Sequence, residues 1–408
     1  MLFLAVATAS TVTHAAEPLT LPAIMQLAEQ HNPGLQASRD QVDVARGTRR
    51  TAQAYPNPEL DIGTGPSRVR QVRGQTGQNR IIGLSQPIDY PQTRAMRIQG
   101  AEAGIDVAEA GLQGARINLL TQVKLAFYDV LRRQDEMRIA QENFDLLGDV
   151  RDRVRLRVTI GESPRYELVK AEAELLEAAK NLESAVIRVD QAKDALRNLI
   201  GPALPENFEV AGKLRIDTPI PPLEELRREV MARSPDIAQS QARENQAAAR
   251  LQLERRLRIP QVTVHGVYEE DPDIRSWRLG MSLPLPLWNR REGPIAEATA
   301  QLAQSQSLVA QQQLVLLREL ETIYSSYLIS GRQVDAFEAG LLKEAEAALK
   351  VAEAAYRFGE RGILDYLDAL RVYRAVRQDF LAARYDLQAA IVQIERLRAT
   401  DLSREQNQ

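Results

Sequence analysis

Gly161 and Gly359 stand 198 residues apart, and the chain after each of them carries the same seven-residue pattern. Leu168, Leu175, Leu182, Val189 and Leu196 follow the first glycine. Tyr366, Tyr373, Phe380, Leu387 and Ile394 follow the second at the same offset. A companion register pairs Ala171, Ala178, Ala185, Ala192 and Leu199 with Ala369, Val376, Ala383, Ala390 and Leu397. All ten pairs are apolar. Strict seven-residue spacing keeps a seam facing a partner only if the helices supercoil left-handedly. Alanine in one register lets the helix axes approach closely. Upstream, Gly83-Leu-Ser-Gln-Pro87 stands 197 residues before Gly280-Met-Ser-Leu-Pro284, so the chain is an internal duplication with small insertions.

Proline placement says where the helices lie. Prolines gather at 18–33, 56–91, 202–235 and 260–294, leaving 92–163, 165–201 and 295–408 free of them. A proline inside a helix costs roughly 3 kcal/mol, so the free stretches are where long helices form. One of about 65 residues would run on the order of 100 Å, too long for a compact domain and suited to a rod or a barrel of coiled coils. The first repeat, 16–200, reads as helix, β-hairpin at 59–88, long helix, a turn near 161 and a second long helix. A linker at 201–222 carries five prolines. The second repeat, 223–400, has the same order, with its hairpin at 261–285, a long helix from Ile295 and its turn near 359. Residues 1–15 are expected to be a signal peptide ending near Thr13-His-Ala15, with its charged start trimmed. Residues 401–408 are expected to be a disordered tail.

The hairpins alternate. Trp277, Leu279, Met281, Leu283 and Leu285 share one face of the last strand; Arg278, Gly280 and Ser282 share the other. Ile82, Leu84 and Ile88 share a face in the first hairpin. Alternation over about ten residues suits either a membrane β-strand or a small sheet packed on helices. Four strands alone would leave open edges that lipid cannot satisfy. A membrane reading therefore requires several chains to pool strands, and three chains would supply twelve.

The composition excludes several classes. There is no cysteine, so disulfides, thiolate metal sites, cysteine nucleophiles and an N-terminal lipid anchor are not expected. His14, His31 and His265 are too scattered to form a ligand cluster. A net charge of −3 without a basic block argues against nucleic acid. No phosphate loop, catalytic triad or metal set is present, so no catalytic residue, metal or cofactor is expected. The run Arg151-Asp-Arg-Val-Arg-Leu-Arg157 reads as a solvated helix face. His265 is expected to face a barrel lumen or lie at a rim.

Around the second turn, Gly359 and Gly362 interrupt the helical pattern, and Asp365 and Asp368 follow as an i,i+3 pair on one helix face. Spacing alone allows a solvated helix start, which acids favour, or a functional acidic site. Three stretches decide what the chain resembles: Arg357-Phe-Gly-Glu-Arg-Gly-Ile-Leu-Asp-Tyr-Leu-Asp-Ala369, Leu283-Pro-Leu-Pro-Leu-Trp-Asn-Arg-Arg-Glu-Gly-Pro-Ile-Ala-Glu-Ala298, and Leu84-Ser-Gln-Pro-Ile88 with Arg94. With the duplication, they resemble the TolC family of outer-membrane efflux channels, and the second stretch resembles its heavy-metal, CzcC-like branch.

The resemblance implies a mainly α fold with a small β part. Coiled-coil hairpins would form a trimeric α-barrel in the periplasm, and four strands per chain would join a twelve-stranded barrel in outer-membrane lipid. The turns at Gly161, Gly359 and Gly362 would form its tip. Asp365 and Asp368 would ring the lumen as its constriction, and Tyr356, Arg361 and Glu167 would link neighbouring hairpins as the gate. Lys170 stands where the first repeat would match Asp368, so the ring would come from the second repeat. The implied partners are two further copies of the chain, a periplasmic adaptor and an inner-membrane pump of the resistance–nodulation–division type. Their cargo would be cobalt, zinc or cadmium cations. Organic drugs or dyes on the same fold, and a soluble periplasmic coiled-coil adaptor, are the alternatives.

Overall fold

A computed structural model describes residues 18–68, 76–214 and 220–399. The expected signal peptide at 1–15 and tail at 401–408 lie outside the described residues, as do 69–75 of the first hairpin loop and 215–219 of the linker. The helices are α1 (Leu21–His31), α2 (Pro33–Gln53), α3 (Pro91–Thr159), α4 (Arg165–Ile200), α5 (Leu223–Arg233), α6 (Pro235–Arg256), α7 (Glu292–Ala336), α8 (Leu342–Arg357) and α9 (Ile363–Arg398). The strands are β1 (Glu59–Arg68), β2 (Thr76–Pro87), β3 (Thr263–Glu270) and β4 (Arg275–Ser282). The fold is mainly helical with four antiparallel strands.

The chain divides into two compact units, each drawn from both repeats. One takes Met1–Gln36, Arg116–Val230 and Arg318–Gln408; the other takes Ala37–Ala115 and Met231–Leu317. In the first unit the heptad prediction has a direct outcome: no member of the ten pairs is exposed. Linker residues Leu204, Phe208, Val210 and Leu214 are buried, and Val210 makes a parallel bridge with Leu19.

The long helical arm from Ile295 to the turn carries a π turn at Phe337–Leu341, with non-helical backbone at Gly340. A π turn adds a residue to the helical ladder and rotates the helix beyond it. It sets Phe337 against Phe380, ring centres 5.6 Å apart, beside a core of Val334, Ala383, Leu387 and Ile391.

The second unit holds the sheet, in the order β1-β2-β3-β4. Its register places Ile62 beside Ile82, Ile82 beside Tyr268 and Tyr268 beside Trp277. Leu60, Leu84, Leu279 and Met281 continue that apolar face. It is uncovered: Trp277, Leu279 and Met281 are 74%, 75% and 75% exposed. The other face carries Asp61, Ser85, His265, Glu269 and Arg278, with Arg278 donating to Glu269 at 2.6 Å. His265 lies opposite Ser85 and Gly280, and its ring fills the space a Gly280 side chain would take. Below the sheet, Arg94 donates to the Gln53 carbonyl at 2.6 and 3.1 Å, and Arg97 to Ala52 at 3.0 Å. Both bonds satisfy carbonyls that the end of α2 leaves unpaired. No helix among the described residues is long and apolar enough to cross a membrane.

Candidate functional site

The two hairpin turns repeat one another atom for atom. Glu162 N–H donates to the Arg157 carbonyl at 2.8 Å, and Glu360 N–H to the Ala355 carbonyl at 2.9 Å. Gly161 and Gly359 donate to Val158 and Tyr356, both at 3.2 Å. These six-residue closures require a left-handed residue at the glycine, and φ is 82° at Gly161 and 76° at Gly359. Gly362 differs. Its φ of −75° and ψ of 164° match those of Pro164, −72° and 146°, at the start of α4. Gly362 is thus the N-cap of α9, with no demand for glycine from its backbone.

Both hairpins close over one core. Leu147, Val150 and Val154 of α3, Ala171 and Ala178 of α4, Tyr356 of α8, and Ile363, Tyr366, Leu367 and Leu370 of α9 form it. Tyr356 and Tyr366 stack with ring centres 6.0 Å apart and planes 3° from parallel. The Arg157 guanidinium lies over Tyr356, 5.1 Å from the ring centre. The Tyr356 hydroxyl is buried and has no hydrogen-bond partner among the described residues. Burial pushes the Tyr356 phenol above its ordinary range; the charge of Arg157 opposes this, while Glu167 adds to it.

Within one chain Tyr356 feels the charge of Glu167, and Arg361 stands at the same turn, its N–H donating to the Ala355 carbonyl at 3.3 Å. Arg361 is exposed and reaches the Asp365 carboxylate at 3.4 Å. Asp365 and Asp368 are both exposed on α9. Arg371, one turn after Asp368, forms an ion pair with Glu174 of α4. That pair raises the Arg371 pKa, with a smaller push from Asp368. Each acid of the expected ring thus has an arginine beside it in the same chain.

Of the arginines in the run on α3, Arg153 and Arg155 are exposed and none is buried. Arg157 is half-buried over Tyr356, while Arg155 reaches Glu172 at 3.2 Å. Arg371 and Glu174 were not singled out from the sequence, and Arg157 only as part of the arginine run. The available signal for Arg157 was its place four residues before Gly161, facing the matching turn. Among the described residues no group of three His, Asp or Glu side chains could hold a metal.

A family model described as "Outer membrane efflux protein" matches residues 24–202 and again 226–400. The chain belongs to this family. It is an outer-membrane efflux channel of the TolC and CzcC type, and not an enzyme. The two matched segments follow the duplication. The cobalt-zinc-cadmium resistance protein CzcC of Cupriavidus metallidurans is 29% identical over 385 residues, covering 94% of this chain and 90% of that protein. The outer membrane protein TolC of Escherichia coli is 23% identical, covering 89% of this chain and 78% of that one. A crystal structure of CusC superposes with a TM-score of 0.82 at 18% identity, covering 93% of this chain and 92% of that one. A membrane protein from Pseudomonas aeruginosa gives 0.80 at 21% identity, covering 93% of both chains.

Proposed function

We propose that this efflux protein is the passive exit duct of a tripartite export system, carrying divalent heavy-metal cations across the outer membrane. The observation that supports an assembled duct most directly is the sheet. Among the described residues its outer strands, β1 and β4, each have no neighbour on one side, while its apolar face is exposed. Unpaired backbone groups are costly in lipid. Three copies joined edge to edge would close a twelve-stranded barrel with Trp277, Leu279 and Met281 outward, and Asp61, His265 and Arg278 lining the lumen.

Below it, the long hairpins would continue as a helical tube through the periplasm, with Gly161 and Gly359 at the closed tip. Asp365 and Asp368 would ring the axis there, giving six carboxylates that favour cations over anions. Tyr356, Glu167 and Arg361 would hold neighbouring hairpins together, and Gly362 would set the start of the inner helix. The chain has no energy source of its own. A periplasmic adaptor and an inner-membrane pump of the resistance–nodulation–division type would dock at the tip. Docking would shift the hairpins between two packings.

The metal cargo is supported by CzcC, 29% identical, and by the nickel and cobalt resistance protein CnrC of the same organism, 22% identical. A second reading, organic cargo, is supported by the pyoverdine export protein OpmQ of Pseudomonas putida, 23% identical. Deleting the gene distinguishes them. Sensitivity to cobalt, zinc or cadmium, with unchanged sensitivity to dyes and drugs, is expected; the reverse pattern would replace the metal reading. Extraction as a heat-modifiable trimer tests the assembly.

A further inference from the structure

On the side of the sheet where the helices join, four exposed arginines make no ion pair with a described residue. The last turn of α6 carries Arg255 and Arg256, and Arg258 follows two residues later. All three are exposed, and none makes an ion pair with a described residue. Beyond β4, residues 283–290 are exposed throughout, and Trp288 is 93% exposed. The two segments are tied together, because Arg291 forms an ion pair with Glu254 of α6. Arg290 and Arg255 are the chain neighbours of that pair, and Trp288 stands three residues before Arg291.

A helix C-terminus attracts cations, so its dipole accounts for part of Arg255 and Arg256. It does not account for Arg290. That residue stands just before α7, which begins at Glu292, where the dipole disfavours positive charge. Arg291 at the same place is neutralised by Glu254; Arg290 has no such partner among the described residues. A large apolar ring left in the open next to it is the pairing found where protein meets the interface of a bilayer.

From this, and resting on the reading that the apolar face of the sheet meets lipid, we infer that Arg255, Arg256, Arg258 and Arg290 form a binding site for the phosphate of anionic phospholipid headgroups. Trp288 inserts at the level of the ester linkages, and the arginines hold the phosphates above it. The site fixes the depth of the channel in the leaflet facing the helices.

The test uses purified, delipidated full-length protein. It is titrated with short-chain phosphatidylglycerol, with short-chain phosphatidylcholine and with inorganic phosphate, and bound molecules are counted by native mass spectrometry. Insertion into phosphatidylcholine vesicles is followed in parallel. Wild type is expected to prefer phosphatidylglycerol over phosphatidylcholine by at least about tenfold, since each surface arginine contributes about fivefold. The variant R255Q/R256Q/R258Q/R290Q should lose that preference while still inserting. Should it not fold, R290Q alone should lose about fivefold. Equal binding of the two lipids by wild type, an unchanged preference in the folded variants, or binding of inorganic phosphate as tight as that of phosphatidylglycerol overturns the assignment. Wild-type protein that stays out of vesicles overturns the membrane reading as well; insertion without headgroup preference overturns this site alone.

Discussion

The guanidinium of Arg157, at the end of α3, lies 5.1 Å from the ring centre of Tyr356, at the end of α8. This contact joins the two hairpins of one chain beside their turns. It leaves the Tyr356 hydroxyl buried and without a geometrically good hydrogen-bond partner among the described residues. A buried hydroxyl without a partner costs about 1–3 kcal/mol. If Tyr356 links neighbouring copies in the closed tip, its hydroxyl finds that partner across the interface. Tyr356→Phe keeps the stack on Tyr366 and should leave the thermal midpoint nearly unchanged, while raising the conductance of the resting channel in planar bilayers. An unchanged conductance would remove Tyr356 from the gate. Arg157→Ala should lower stability by about 0.5–1 kcal/mol, the worth of an exposed cation–π contact.

The turns yield a paired prediction. Gly359 sits at φ 76°, so Gly359→Ala is expected to cost at least about 1 kcal/mol. Gly362 has the backbone of Pro164, its counterpart in the other repeat, and a side chain added there would meet nothing within 4 Å. Gly362→Pro should therefore be neutral or stabilising by about 0.4–1 kcal/mol, through the unfolded chain. Thermal melts of the two variants decide the point, and a strongly destabilised Gly362→Pro would contradict the equivalence of the turns.

The duplication was legible because heptad spacing and left-handed glycines leave a mark on sequence that packing cannot erase. The strands were legible because alternation survives wherever one face meets a different medium from the other. The π turn at Phe337–Leu341 was not. It needs one extra residue in the ladder and no special residue type, so Phe-Glu-Ala-Gly-Leu reads as ordinary helix. The tip was half legible. Asp365 and Asp368 are visible as a pair on one face, yet Arg371 beside Asp368 is fixed by the pairing of α9 with α4. Arg157 looked like one of four interchangeable surface arginines. Only the position of α8 selects it for Tyr356.

Acid should loosen the contact between α3 and α9. Arg377 of α9 donates to Glu142 of α3 at 2.7 Å, and Arg138 donates to the same carboxylate at 2.9 Å. The bond from Arg377 holds the Glu142 carboxyl below its ordinary value of 4.5. A folded pKa below the unfolded one means that the contribution is full above about pH 4.5. It is lost as pH falls through the folded pKa. The carboxylate is about half exposed, so the contribution is at most about 1 kcal/mol. Glu142→Gln should lower the thermal midpoint at neutral pH and match wild type in acid. A difference that persists in acid would assign the loss to packing.

The proposed acidic ring offers the most direct test of the proposed tip. Asp365 has Arg361 at 3.4 Å, and Asp368 has Arg371 one turn away, itself engaged by Glu174. Arg361 is exposed and pairs with no other described acid, so its charge offsets Asp365 alone. Removing it should make a trimeric constriction more negative by three charges. Crowded carboxylates hold divalent cations more tightly as neighbouring positive charge is removed. Arg361→Gln should therefore strengthen block of the channel by divalent cations in planar bilayers, by about fivefold if each of three copies contributes about 0.3 kcal/mol, the lower range for an exposed pair. The variant D365N/D368N should abolish block and raise conductance. Arg371→Gln frees Asp368 but also breaks the pair with Glu174, so it should change block and lower stability together. If D365N/D368N channels keep the wild-type conductance and cation block, these carboxylates face away from the axis, and the constriction must be sought on another face of α9.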